Sequence, residues 1–140
     1  MGYRFLDHTA DLRLEVEAPT LAALFAESLV GFTEAFAEVA AVEPRRALTL
    51  ELEAGSREDL LRDFLDELLF RFETEGWLFR STAVELIERA GSLSLKARTR
   101  GERYLPEKHG LKLLLKAVTY HGLIVEKAED GWRAQVIFDI

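Results

Sequence analysis

The stretch DLRLEVEA-PT-LAALFAESLVGFTEAF, residues 11–36, changes its apolar period part-way through. Leu12, Leu14 and Val16 alternate with Arg13, Glu15 and Glu17, the period-2 pattern of a half-buried strand over 11–18. Pro19-Thr20 breaks it, with Thr20 placed as a helix N-cap. Leu21, Leu24, Phe25, Ser28, Leu29, Phe32 and Phe36 then recur at helical spacing, which predicts a helix of about four to five turns. Tyr3 to Leu6 is a shorter strand pattern just upstream. Two strands therefore precede the first helix.

Downstream of Pro44, Leu48, Leu50 and Leu52 alternate with Thr49, Glu51 and Glu53, which predicts a strand. Ser56-Arg57-Glu58-Asp59 has the form of a capping box, with Asp in place of the usual Glu or Gln. Leu60, Leu61, Phe64, Leu65, Leu68, Leu69 and Phe72 follow at helical spacing, and Gly76 is placed as the stop. Strands are predicted at 83–89 and 92–99 around an Ala90-Gly91 turn. Another lies within 112–126, with a bend at Gly122, and the last runs from Trp132 to Ile140 after an Asp130-Gly131 turn. The order β-β-α-β-α-β-β-β-β does not alternate strictly. It predicts an α+β fold, a single domain over 1–140 with a mostly antiparallel or mixed sheet and two main helices.

With 140 residues, 49% hydrophobic and 31% charged, the chain has enough apolar surface for a core and is not a disordered segment. It contains no Cys, which excludes a disulfide scaffold, thiolate metal sites and a cysteine nucleophile. A net charge of -7 argues against a generic phosphate-backbone binder. No signal pattern or long apolar run is present, so a soluble, cytoplasmic protein is expected. Charge is segregated along the chain. Residues 51–75 carry nine acids against three bases, and residues 89–116 carry eight bases against two acids. Solvated faces account for this in the ordinary case, and a bipolar docking surface is the sharper alternative.

The densest polar cluster is Asp7-His8-Thr9-Ala10-Asp11. Asp and Thr side chains bond nearby backbone N–H groups, so a structured turn is one reading. A hard cation is the other, but it needs several oxygens. Asp139 and Ile140 at the far end supply candidates, because Ile140 brings an apolar side chain and the α-carboxylate together. If the last strand pairs near the Asp7–Asp11 turn, Asp11, Asp139 and the Ile140 carboxylate form an all-oxygen site for Ca²⁺, Mg²⁺ or Mn²⁺. A frayed, solvated terminus is the competing reading. Of the histidines, His109 reads as a turn residue and His121 as a satisfied structural one. Asp63, Asp66 and Glu67 read as a solvated helix face, and Trp77 and Trp132 as core or rim packing. No P-loop, GxGxxG, HExxH or GxSxG is present. No catalytic set emerges from these residues.

Four segments together resemble the archease family. Tyr3-Arg4-Phe5-Leu6-Asp7-His8-Thr9-Ala10-Asp11 is similar to the family's opening, which contains a DHTAD signature. Phe64 to Phe70 is similar to its central helix. Lys116-Ala117-Val118-Thr119-Tyr120-His121-Gly122-Leu123 and Gly131-Trp132 through Val136-Ile137-Phe138-Asp139-Ile140 resemble its closing segments. Their order and spacing agree over essentially the whole chain. The resemblance implies an accessory protein, not an enzyme, for the GTP-dependent RNA ligase of tRNA splicing and RNA repair. Its role would be to promote guanylylation of the ligase and so allow multiple turnovers. It also implies metal binding at Asp11, Asp139 and Ile140, with Asp7 and His8 as supporting or turn residues. Direct RNA binding is expected to be weak or absent, with contact by the basic 89–116 segment left open, and no membrane is involved. Two other roles fit less well. One is a chaperone or specificity factor for another RNA-modifying enzyme, such as a tRNA methyltransferase. The other is a stand-alone metal-dependent hydrolase using Asp7, His8, Asp11 and Asp139.

Overall fold

The computed structural model describes residues 1–7 and 11–140, apart from the Asp7 side chain. The chain order is β1 (Gly2–Asp7), β2 (Asp11–Ala18), α1 (Leu21–Phe36), β3 (Arg46–Ala54), α2 (Arg57–Glu75), β4 (Trp77–Arg89), β5 (Ser92–Arg103), α3 (Pro106–His109), β6 (Ala117–Val118), β7 (Ile124–Ala128) and β8 (Gly131–Asp139). Among the described residues every strand pairing is antiparallel, so the α+β class holds and the "mixed" option drops out. The strands form two sheets. One runs β1-β2-β8-β6 with β7 also on β8, and the other runs β3-β5-β4.

The helix ends follow their sequence signals. The Thr20 hydroxyl accepts from the Ala23 N–H at 3.1 Å, and the Ser56 hydroxyl accepts from the Asp59 N–H at 3.1 Å. Gly76 closes α2 in the left-handed region, at φ 72°, where a side chain would be strained. Helix α1 lies between the sheets and is buried on most of its circumference. Phe32 meets Phe138 of β8 edge-on, and on the other side the Thr33 hydroxyl donates to the Phe79 carbonyl of β4 at 2.7 Å. Helix α2 buries Leu60, Leu61, Phe64, Leu65, Leu68 and Leu69, and Phe25 of α1 packs against Phe64. Deleting the Phe64 ring would leave a cavity and cost about 3–5 kcal/mol.

Three local expectations change. The strand predicted at 83–89 starts earlier, as β4 from Trp77, because a bulge between Phe79 and Ser81 lets it continue back through Phe79 and Leu78. The 112–126 region divides into β6 and β7, with the turn at Gly122 between them. A short helix, α3, also forms where only a loop was expected, with Pro106 at its start.

The β4 bulge explains Gly101. A Cβ there would overlap the Leu78 carbonyl across the strand pair. Gly101→Ala must therefore displace backbone, and it is expected to cost at least about 2 kcal/mol in thermal unfolding. Gly55→Ala is the matched control, because a Cβ there meets nothing within 4 Å. It should stay within about 0.5 kcal/mol of wild type.

Candidate metal and docking site

The site is made by pairing the second strand with the last. Register between β2 and β8 runs from Asp11 opposite Asp139 to Ala18 opposite Trp132. Leu14, Val16, Ala134, Val136 and Phe138 are buried on the helix side, which fixes this register, since a one-residue slip would turn each strand's apolar set to solvent. Asp11 and Asp139 have the opposite parity and share the outer face. Directly opposed residues in an antiparallel pair have Cα atoms about 4.5–5.5 Å apart. Two carboxylates so placed are close enough to share a cation.

Asp139 is exposed, and its other neighbour across the sheet is the small Ala117 of β6. The Lys116 N–H donates to the Asp139 carbonyl at 2.8 Å, which fixes the strand end without using its carboxylate. Ile140 packs its side chain against the core, so the last residue is anchored rather than frayed. Oxygen donors of this kind suit a hard divalent cation. Among the described residues no three His, Cys, Asp or Glu side chains cluster to hold a metal. Among the described residues, the further oxygens open to a cation at Asp11 and Asp139 are main-chain, terminal-carboxylate or water oxygens. The Asp7 side chain, His8, Thr9 and Ala10 lie outside the described residues.

The remaining candidates do not join this site. Asp63 and Asp66 face Arg62, and Glu67 pairs with Arg71 at 2.8 Å, so α2 carries a surface ion-pair ladder. Trp77 is buried and stacks on Phe79, and Trp132 is half-buried under the Arg57 guanidinium. His121 is exposed in the turn before β7, not a satisfied structural histidine, because the bend at Gly122 carries it out of the sheet. His109 also departs from expectation: it is buried, not a surface turn. Its Nε2 lies 2.8 Å from Glu102, and its Nδ1 accepts the Leu105 N–H at 2.9 Å, an arrangement that suits the neutral Nε2–H tautomer. The spacing of Glu102 and His109 carried no signal, because α3 and the end of β5 meet only in three dimensions.

Glu102 gathers the Glu43 N–H, His109 and Lys108 at 2.9, 2.8 and 2.9 Å. Burial of the carboxylate opposes its ionisation. The Glu43 N–H, the His109 ring and the Lys108 ammonium outweigh that and hold its pKa at about 2. The cluster ties α3 to the segment before β3.

A model of the archease protein family matches residues 3–140. The chain belongs to the archease family. It is 38% identical over 139 residues to protein archease of Methanosarcina acetivorans, covering 99% of this chain and 95% of that one. Against protein archease of Methanopyrus kandleri it is 33% identical over 140 residues, covering both chains completely. The solution structure of Methanobacterium thermoautotrophicum protein 1598 superposes on this archease with a TM-score of 0.86 at 29% identity, covering 99% of both chains. Among the described residues, no helix of this archease is long and apolar enough to cross a membrane.

Proposed function

We propose that this protein is an accessory activator of the GTP-dependent RNA ligase in tRNA splicing and RNA repair. It promotes ligase guanylylation and multiple turnover and is not itself a ligase. The reading rests on family membership and on one structural observation, the in-register pairing of Asp11 with Asp139 at the end of the large sheet. Asp11, Asp139 and the Ile140 carboxylate hold a divalent cation, Ca²⁺, Mg²⁺ or Mn²⁺, as oxygen ligands. Such an ion, when bound, supplies positive charge that neutralises phosphate oxygens.

The chain's own contribution is positional. The β2–β8 ladder fixes both aspartates on one rigid face, which is more exact than a loop. At that strand end a phosphate gains a favourable contact only with the ion bound. Docking at the ligase favours the ligase conformation that accepts GTP, an effect that requires differential affinity for its two states.

Ligation with RNA in excess of the ligase, with GTP and metal, tests this. Multiple turnovers on addition of the wild-type protein are expected. No effect on a demonstrably active ligase from the same source would overturn the activator role.

A further inference from the structure

The outer face of the three-stranded sheet carries positive charge that no ion pair uses. On its central strand, β5, Leu95, Ala97 and Thr99 are buried, which leaves Lys96, Arg98 and Arg100 on the solvent side. Lys96 stands in register between Glu51 of β3 and Glu85 of β4, which offset it. The two arginines have no such flanks. Arg98 lies between Thr49 and Ala83, and Arg100 between Ala47 and Ser81. Among the described residues neither guanidinium has an ion-pair or hydrogen-bond partner. Arg80, next to Ser81, spends its Nη1 on the Val39, Ala40 and Val42 carbonyls, so its charge also meets no carboxylate. Beyond Arg100, Glu43 and Glu102 balance Arg45 and Lys108.

We infer that this face binds the phosphate backbone of an RNA strand, with Arg98 and Arg100 each taking one phosphate. Residues two apart on a strand project to the same side about 6.6 Å apart, a spacing that lets two guanidinium forks meet neighbouring phosphates. The flanking side chains are small, and the Thr49 and Ser81 hydroxyls add donors at the same level. A protein partner would need an apolar or aromatic anchor at the centre of the patch, and none stands beside the arginines. No aromatic ring on the patch offers base stacking, so the contact is sequence-independent. Glu51, Glu53 and Glu85 make the other half of the face acidic and confine the strand to the arginine half.

A chain with a net charge of -7 binds polyanions weakly when free. The contact therefore matters when a partner holds RNA nearby at high effective concentration. Choosing RNA as the polyanion rests on the ligase reading above. The test below omits the ligase, so either can fail alone.

Fluorescence anisotropy of a labelled single-stranded oligoribonucleotide, titrated with the protein across a salt series, decides the matter. Wild type is expected to bind at low ionic strength with affinity falling as salt rises. The Arg98→Gln/Arg100→Gln double variant should lose about 10-fold or more, and its log–log salt slope should shrink by about 1.4, the loss of two single-strand phosphate contacts. Arg98→Lys/Arg100→Lys should keep most of that slope, and Lys96→Gln should change little. Unchanged thermal unfolding separates these effects from misfolding. No salt-dependent binding by wild type, or equal affinity and slope in the Gln double variant, overturns the inference. So does a variant that keeps RNA affinity but loses an acidic protein partner.

Discussion

With RNA in excess, ligation is expected to stall near a single turnover when Asp139→Ala or Asp11→Ala replaces the wild-type protein, a loss of about 10-fold or more. Asp11 and Asp139 face each other in register, so removing either leaves one carboxylate where a hard cation needs several oxygens. Asp139→Asn separates this from a structural role. It keeps the side chain's shape at an exposed position and removes one of two opposed like charges. In chelator the variant should therefore stay within about 0.5 kcal/mol of wild type. Saturating metal should stabilise wild type by about 2.7 kcal/mol at a hundredfold excess over its dissociation constant, and the variant far less. Thermal unfolding with EDTA, Ca²⁺, Mg²⁺ and Mn²⁺ reads both effects. A variant that keeps the metal-induced shift would remove Asp139 from the ligand set.

Glu102→Ala is expected to destabilise the protein by about 2–3 kcal/mol, because it leaves the Glu43 N–H and the buried His109 ring without their acceptor, while Lys108 keeps Glu43. The pH dependence has a definite sign. Glu102 has a folded pKa of about 2 against an ordinary 4.5, a depressed carboxylate. Its contribution is complete above pH 4.5 and is lost as pH falls towards 2. Urea unfolding of wild type and Glu102→Gln should differ by a constant amount at neutral pH, and the difference should shrink across that acid window. A difference independent of pH down to 2 would show that packing, not charge, carries the effect. The carboxylate has no part in the Asp11–Asp139 site, so ligase activation should survive Glu102→Gln wherever the protein is folded.

Local order was legible because local physics sets it. Thr20, Ser56 and Gly76 ended their helices as their side chains or lack of one require, and the alternation of Leu12, Leu14 and Val16 marked a strand with one buried face. The start of β4 was hidden, since Trp77, Leu78 and Phe79 are all buried and so show no alternation. His109 was misread because a His-Gly pair looks like a turn, and its acceptor on β5 becomes a neighbour only after α3 has folded back.

The candidate metal-site residues divide in the same way. Residue types alone pointed to oxygen ligands: there is no Cys, the histidines are few, and acids lie near both ends. Likewise the spacing of charge on 94–100 follows from alternation. Sequence patterns alone marked both long helices, most strands with their buried faces, and the oxygen donors. The return of β8 to β2 with Asp139 opposite Asp11, and the neutral neighbours of Arg98 and Arg100, became visible only in the folded chain. The physical reason is that strand partners are chosen by burying apolar faces, here between residues up to 128 positions apart (Asp11 and Asp139), a choice no local propensity encodes.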